Sequence, residues 1–419
     1  MKELEKGVCR LMPSLYVHVP FCVQKCDYCG FYSQSLRHSS RELTELYLQS
    51  LEMEMEKRQK DTPGGVSSLF IGGGTPTALT ANELELLLEL LRRYTYLKSE
   101  PGKKPEHENL TEHDNMTERE NTIEGNPGTL TKEKLACLRR YGINRFSLGV
   151  QSFQDEMLRN IGRIHTAEEA RLGIKLLREA GFDNLNLDLM FGLPGQDMPA
   201  WQADVEESLT FGPEHLSLYG LILEEGTPMY RRYTPETGSE RLPALPDDDL
   251  QADMYALAAE RLEQAGYRHY ETSNFALPGY ACRHNLGYWR GEDYLGLGPG
   301  AVSCRHRTRW KNIESITNYN RFLTYGREPI AEESAESLSL EDCMAERAIL
   351  GLRLEEGVNL ASFRRDFGVD FGDVYGDVLV GYLEKGIFIR QGEFLCLAKP
   401  YAFVANSILE AFVKPGGES

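Results

Sequence analysis

Short apolar runs alternate with amphipathic stretches along the first half of the chain. The apolar runs begin at Leu15, Ser68, Thr122, Arg145, Leu185 and His215. Apolar residues recur at helical spacing between these runs, in residues 41–60, 81–94, 131–141, 166–180 and 199–211. Because each run ends in a loop, the pattern predicts about six β-strand–α-helix units around a parallel sheet.

Residues at the ends of the amphipathic stretches support this interpretation. Thr80, Thr131 and Thr166 stand where helix N-caps are expected, and Gly142 and Gly181 follow two helix ends. Parallel strands need right-handed crossovers, so a full or partial barrel is the natural closure of such units. We therefore predict an α/β fold of this kind.

The alternation stops after Gly226. Residues 250–265 predict a helix, whereas residues 267–303 are rich in glycine, aromatics and histidine and predict loops and short strands. From about Ser337, helices near 341–353, 360–367 and 373–385, a hairpin and a last helix resemble a winged helix. That fold commonly binds DNA, but this segment has little positive charge, so we expect a structural or partner-docking role. The predicted domains are 1–226, 227–336 and 337–419.

Charge and composition narrow the class of protein. The chain has 46 Lys and Arg against 64 Asp and Glu, a net charge of −18, which disfavours a nucleic-acid partner. Residues 98–121 are almost all polar and predict a flexible insertion before the third strand. No apolar stretch suits a signal peptide or a membrane span. We expect a cytoplasmic protein with at most peripheral membrane contact.

Three of the nine cysteines crowd into the segment HVPFCVQKCDYCGFYS. Cys22, Cys26 and Cys29 follow the spacing C-x3-C-x2-C, from which three thiolates can surround one metal centre. A structural zinc site would need a fourth ligand, for which His18 or His38 is a candidate. A 4Fe–4S cluster ordinarily takes four cysteines, so three would leave one iron open for an exogenous ligand.

Further candidate residues stand at strand ends, where the active sites of barrels lie. The glycines of GGGTPT, from Gly72, let a ligand approach the backbone, and their N–H groups could bind a carboxylate. Later strand ends and loops offer Glu124, Gln151, Arg163 and Asp188. Arg163 suits a carboxylate and Asp188 suits ribose hydroxyls. Taken alone, each of these side chains is more typical of a polar residue inside a barrel whose hydrogen bonds are made within the protein.

The cysteine spacing, with Tyr28 just before the last cysteine, resembles the radical S-adenosylmethionine (SAM) superfamily. With GGGTPT, LGVQSF, IGRIHT, NLDLMFGLPGQ and LGLGPGAVS, it resembles the oxygen-independent coproporphyrinogen III oxidase family over most of the chain. The resemblance implies a partial, TIM-like (β/α)6 barrel and an elaborated C-terminal region. It also implies a 4Fe–4S cluster whose open iron holds SAM, and an electron donor such as flavodoxin or ferredoxin.

The same resemblance implies roles for individual residues. The cluster ligands would be Cys22, Cys26 and Cys29. The residues that bind SAM would be Tyr16, Gly73, Gly74, Thr75, Glu124, Gln151, Arg163, Asp188, Gly220 and Ala301.

Two branches of this family differ in sequence features that can be compared with this chain. The dehydrogenase of porphyrin biosynthesis has a cysteine two positions after the third ligand, where this chain has Phe31, and a longer segment before the cluster. The HemW branch carries an H-N-x-x-Y-W motif, which stands here from His284 to Trp289. Resemblance to HemW implies a haem chaperone that binds haem b, delivers it to haemoproteins and lacks the oxidase activity. The coproporphyrinogen III dehydrogenase is the alternative.

His284 is the candidate residue for haem contact. An imidazole is a sound axial ligand for haem iron, and flanking aromatic residues can cover a porphyrin face. From the residues alone a hydrogen-bonded loop histidine is favoured, whereas the motif favours haem.

Overall fold

The computed structural model describes residues 12–37, 41–94, 119–234 and 242–413. Most of the predicted insertion at 98–121 therefore lies outside the described residues, as do Cys9 and His38. The strands are β1 (Ser14–Val19), β2 (Phe21–Cys22), β3 (Gln34–Ser35), β4 (Leu69–Gly73), β5 (Asn121–Gly125), β6 (Arg145–Gln151), β7 (Leu185–Phe191), β8 (His215–Gly220), β9 (Arg268–Glu271), β10 (Asn274–Ala276), β11 (Tyr294–Leu297), β12 (Val302–Arg305), β13 (Thr308–Lys311), β14 (Glu336–Ser337), β15 (Val358–Asn359), β16 (Phe388–Gln391) and β17 (Phe394–Leu397). The helices are α1 (Arg41–Arg58), α2 (Ala81–Arg93), α3 (Lys132–Arg140), α4 (Asp155–Asn160), α5 (Ala167–Glu179), α6 (Met198–Thr210), α7 (Pro228–Tyr233), α8 (Asp248–Gln264), α9 (Arg283–Trp289), α10 (Ile316–Thr324), α11 (Leu340–Gly351), α12 (Leu360–Phe367), α13 (Phe371–Glu384) and α14 (Ala405–Leu409).

Six parallel strands form the centre of one long sheet. β1, β4, β5, β6, β7 and β8 lie side by side in chain order and pair in parallel. These strands correspond to the six apolar runs of the sequence, so the predicted β/α repeat is confirmed. We call the end of the barrel that contains the C-terminal ends of these strands the rim. We call the opposite end, which contains their N-terminal ends, the floor.

The sheet does not close into a full barrel within the described residues. β11 pairs in parallel with β1, and β10 pairs antiparallel with β8. The complete order is β14-β13-β12-β11-β1-β4-β5-β6-β7-β8-β10-β9, which leaves β14 and β9 as edges. Of the two closures expected from the pattern, the partial barrel is confirmed.

Helices cover the outer face of the strands, and their ends are those that the sequence predicted. The side chains of Thr80, Thr131 and Thr166 accept hydrogen bonds from the third residues of α2, α3 and α5, as N-caps do. Leucines on one side of α2 join the main core, which also contains apolar residues of every central strand. α4 was not predicted, because six residues are too few to show a helical period.

The segment that contains the H-N-x-x-Y-W motif forms α9, so the predicted loop is wrong there. The expectation of short strands in the same region is met by β9, β10, β11 and β12. Gly287 and the surrounding aromatic residues hide the helical period in the sequence. A Cβ at position 287 would lie 3.2 Å from a carboxylate oxygen of Glu292, so the glycine lets this segment pack closely.

The C-terminal unit has the predicted helices and hairpin. α11, α12 and α13 precede the hairpin of β16 and β17, and β15 adds a third strand. Phe363, Phe371, Tyr375 and Phe412 are buried in a core cluster separate from that of the sheet. The proposed domain boundaries, and the winged-helix comparison, stay predictions.

Candidate functional site

The three clustered cysteines lie in the loop that follows β1 at the rim. The short strands β2 and β3 pair across the ends of this loop and hold it as a closed turn. All three thiols are half-buried, and none of the eight cysteines in the described ranges forms a disulfide. Burial raises the pKa of the Cys22 and Cys29 thiols, and the charge of Cys26 raises both further. Three thiols that repel one another when ionised suit a bound cation.

Arg163 adds positive charge beside these sulfur atoms. Burial alone would lower its pKa, but Tyr28 and the thiols of Cys26 and Cys29 raise it above the usual value. Its guanidinium carbon lies 6.0 Å from the centre of the Tyr28 ring. Within the described part of the chain, no three His, Cys, Asp or Glu side chains converge as a single metal ion would require. A cluster is larger than one ion, so its ligands stand further apart.

A chain of hydrogen bonds connects Arg163 to Cys22. Arg163 donates through one terminal nitrogen to Asn126 Oδ1 (2.8 Å) and through the other to the Tyr28 hydroxyl (3.0 Å). Asn126 Nδ2 donates to Thr75 Oγ1 (2.8 Å), and Thr75 Oγ1 donates to Cys22 Sγ (3.6 Å). A cavity of about 100 Å³ adjoins this chain and is also lined by Cys26. The sequence interpretation missed Asn126, although it follows directly on a predicted strand end.

The glycine loop after β4 has a different role from the one expected. The N–H groups of Gly73, Gly74 and Thr75 already donate to Glu124 Oε2, Val19 O and Phe21 O. The expectation that these groups are free for a ligand carboxylate is therefore wrong for this conformation.

Close packing accounts for the glycines instead. A Cβ at Gly73, whose φ is +108°, would lie 2.5 Å from the ring of His18. A Cβ at Gly74 would lie 2.5 Å from the carbonyl oxygen of Phe21. The loop thus lies directly against β1 and the start of the cluster loop.

His18 is part of this packing. Its Nε2 lies 2.9 Å from the carbonyl oxygen of Tyr32, which can only accept, so Nε2 carries the proton. Its Nδ1 therefore accepts from the Tyr16 hydroxyl at 3.1 Å. Both nitrogens are engaged within the protein, so in this arrangement His18 does not serve as the fourth zinc ligand that the sequence left open.

Several inward-facing side chains of the central strands are not fully covered inside the barrel. Tyr16, Glu124 and Asp188 remain partly accessible there, and Tyr219 is 41% exposed although it points into the barrel. Burial, followed by the charge of Asp188, raises the pKa of Glu124 to about 8. Burial also raises the pKa of Asp188, against hydrogen bonds from Asn186, Ser217 and Ser147. These carboxylates can accept hydrogen bonds from a ligand that carries positive charge.

The other residues predicted to bind SAM lie at the ends of strands or in the loops that follow them. Gln151 ends β6 with a left-handed φ of +68°, and its buried Oε1 has no hydrogen-bond partner among the described residues. Gly220 ends β8 against the Phe191 ring, and a Cβ there would lie 3.1 Å from that ring. Ala301 is buried in the loop after β11, where its N–H donates to Gly298 O. Gln151 thus offers a side-chain acceptor without a partner, whereas Gly220 and Ala301 could offer a ligand only backbone groups.

His284 lies at the floor, away from the cysteines. It is 1% exposed, its Nδ1 lies 2.9 Å from Ser68 Oγ, and its Nε2 lies 3.0 Å from the Tyr288 hydroxyl. Its ring stacks on Phe70, with ring centres 5.1 Å apart. Burial, and then the charge of Arg145, lowers the pKa of His284 to about 3. The residue is a neutral, buried helix histidine rather than a loop histidine.

Glu120 attaches α9 to the floor. Its carboxylate accepts from Cys282 Sγ (3.3 Å) and from the backbone N–H groups of Arg283 (3.2 Å) and His284 (3.3 Å). Sequence reasoning missed this residue because it assigned Glu120 to the flexible insertion at 98–121, which is wrong at its end: Glu120 is buried and Asn121 begins β5. The position of Glu120 just before the apolar run at Thr122 was the available signal.

The donor set fits the cofactors that the resemblance implied. Three mutually repelling thiols and an arginine at the rim suit a 4Fe–4S cluster held by Cys22, Cys26 and Cys29. The unpartnered Oε1 of Gln151 and the carboxylates of Glu124 and Asp188 suit the adenosyl and methionyl groups of SAM. When bound, the cluster would supply an electron to SAM, and these residues would ligate the cluster, orient SAM and exclude water.

Comparison with protein families identifies the class that these features define. Residues 16–207 match the model of the radical SAM superfamily, and residues 338–399 match that of the HemN C-terminal domain. The chain is therefore a radical SAM protein, and a 4Fe–4S cluster and SAM are its cofactors.

Individual relatives narrow the class further. The haem chaperone HemW of Bacillus subtilis is 33% identical over 96% of this chain and 99% of its own length. HemW of Escherichia coli is 38% identical over 69% of each chain. The chain belongs to the HemW family of the radical SAM superfamily.

The fold comparison agrees with this placement. The structure of coproporphyrinogen III oxidase HemN from Escherichia coli superposes with a TM-score of 0.78 over 96% of this chain and 91% of that one. The two sequences are 23% identical, so the likeness concerns the fold. No helix in the described residues is long and apolar enough to cross a membrane.

Proposed function

We propose that this protein is a haem chaperone that binds haem b and transfers it to haemoproteins. The observation that carries the proposal is the match to relatives named haem chaperones over nearly the whole chain. The H-N-x-x-Y-W motif on α9 supports it, as does Phe31 at the position where the dehydrogenase branch has a cysteine. Phe31 is 70% exposed, and its side chain has no sulfur to add to the three thiols.

His284 is our candidate for haem contact, and its surroundings specify what ligation requires. A neutral imidazole has the lone pair that iron needs, and a pKa of about 3 keeps His284 neutral at any physiological pH. Both nitrogens are engaged in this conformation, by Ser68 and Tyr288. Haem ligation through Nε2 therefore requires that the ring leave the Tyr288 hydroxyl.

Haem titration of matched variants tests this proposal. We expect stoichiometric haem binding by the wild type and loss of the Soret shift in His284→Ala. Tyr288→Phe removes the competing hydroxyl while keeping the ring, so it should bind haem at least as tightly as the wild type. Equal affinity of the wild type and His284→Ala would remove His284 from the mechanism. Absence of haem binding by the wild type would overturn the function itself.

The dehydrogenase of coproporphyrinogen III is the second candidate, because the SAM-binding residues are shared between the branches. An anaerobic assay with SAM and reductant should give carbon dioxide and an altered porphyrin if this activity exists. We expect neither product from the reconstituted protein, and formation of either would restore the enzyme interpretation.

We further propose the partners and the location. Electrons for the cluster would come from a small carrier such as flavodoxin or ferredoxin, and haemoproteins would receive the haem. The free thiols in the described residues suit a reducing compartment, so we place the protein in the cytoplasm, with peripheral contact at the inner face of the membrane. Fractionation of cells, with and without a high-salt wash, checks the location.

A further inference from the structure

The hydrogen bonds between Arg163 and Cys22 have only one possible direction. A guanidinium donates and never accepts, so the atom of Asn126 that faces Arg163 must be its oxygen. The amide nitrogen of Asn126 therefore faces Thr75 Oγ1 and donates to it. Because the Thr75 oxygen uses a lone pair to accept this hydrogen bond, its own hydrogen points at Cys22 Sγ. The direction of every bond thus follows from the arginine.

The backbone and the neighbours of Asn126 hold its side chain in place. The carbonyl oxygen of Asn126 accepts from the N–H and from the hydroxyl of Thr129, in the turn directly after β5. A Cβ at Gly149 would lie 2.8 Å from Asn126 Oδ1, so the strand beside the amide leaves it just enough room. Thr75 is 2% exposed, which keeps competing water away from its hydroxyl.

We propose that Asn126 is a positioning residue for the cluster, which turns the Thr75 hydroxyl toward Cys22 and so raises the reduction potential of the cluster. A hydrogen bond to a ligating sulfur stabilises the more negative, reduced state. The proposal rests on the cluster that the superfamily implies and not on haem binding. A failed haem titration therefore leaves it intact, and its own failure leaves the chaperone function intact.

The isosteric variant Asn126→Asp gives the sharpest test. An aspartate still accepts from Arg163, but its second oxygen also accepts, so the Thr75 hydroxyl turns away from Cys22. We expect a more negative midpoint potential of the reconstituted cluster in an EPR-monitored redox titration. Loss of one hydrogen bond should change the ratio of reduced to oxidised cluster at a fixed solution potential by about fivefold.

The Thr75 variants distinguish the effect of the Thr75 hydroxyl on the midpoint potential from the effect of the negative charge that Asn126→Asp adds. Thr75→Val should lower the potential, whereas Thr75→Ser keeps a hydroxyl and should stay near the wild type. In the Thr75→Val background, Asn126→Asp should produce a smaller shift, because only its charge remains to act. Iron content and circular dichroism confirm that each variant is folded and loaded. An unchanged potential in Asn126→Asp, or equal shifts with and without Thr75, would overturn the proposal.

Discussion

The two ends of the same six strands differ in the polar groups that they present. At the rim, the thiols are half-buried, Gln151 Oε1 is unpartnered and the pKa of Glu124 is raised to about 8. At the floor, Glu120 accepts three hydrogen bonds, and both ring nitrogens of His284 are engaged. The rim therefore presents groups that a ligand can bind directly, whereas a haem at the floor would first have to displace the Tyr288 hydroxyl from His284.

Removal of a cluster ligand should abolish cluster binding at the rim and leave the floor unaffected. Cys22→Ser should abolish the iron–sulfur absorption after anaerobic reconstitution, because two remaining cysteines cannot hold the cluster. The floor has no contact with this thiol, so the thermal unfolding of the apoprotein should change little. Cys343→Ser, which alters a half-buried thiol outside the loop, serves as the control and should keep full iron content. Iron retained in Cys22→Ser would contradict the assignment.

Truncation of Glu120 should affect stability rather than the cluster. Glu120→Ala leaves three donors at the start of α9 and its N-cap without their acceptor and should reduce the free energy of unfolding by about 3 kcal/mol. Chemical denaturation measures this loss. Glu120→Gln keeps one acceptor oxygen and should lose less. Should the alanine variant be as stable as the wild type, α9 would not depend on this carboxylate.

The raised pKa of Glu124 predicts how SAM binding depends on pH. The sulfonium charge of SAM favours the ionised carboxylate, which is the minor form below the pKa of about 8. SAM affinity of the reconstituted protein should therefore increase by about tenfold between pH 7 and pH 9, since the ionised fraction rises by that factor. Glu124→Gln should bind SAM more weakly and with a flatter pH profile. A wild-type affinity for SAM that falls between pH 7 and pH 9 would contradict this prediction.

The left-handed backbone of Gln151 predicts the smallest effect. A non-glycine residue at a φ of +68° costs about 1 kcal/mol, so Gln151→Gly should stabilise the protein by up to that amount. The same variant should weaken SAM binding, because it removes the unpartnered Oε1. Gln151→Ala keeps the backbone strain and should lose affinity without the gain in stability. A glycine variant that is less stable than the alanine variant would show that the backbone is not strained.

Local patterns predicted the elements of the fold, and long-range contacts account for what they missed. The strands, the threonine caps and the cysteine spacing each lie within a few residues and follow from periodicity or chemistry. Asn126 and Glu120 take their roles from partners far away in the chain, such as Thr75 and His284. The glycine loop was predicted to let a ligand approach the backbone, but the atoms that approach its glycines in the structure belong to the protein itself.

The unclosed sheet has a consequence for self-association. An exposed edge strand offers free backbone groups to another chain, and proteins usually shorten or cover such edges. Here β14 has only two residues, and β9 is covered where Glu271 bridges to Leu354 and Glu355 N donates to Tyr270 O. The C-terminal unit therefore shields the barrel from edge-to-edge aggregation. A chain cut before α11 would expose β9, and we expect it to form oligomers at concentrations where the intact protein stays dispersed.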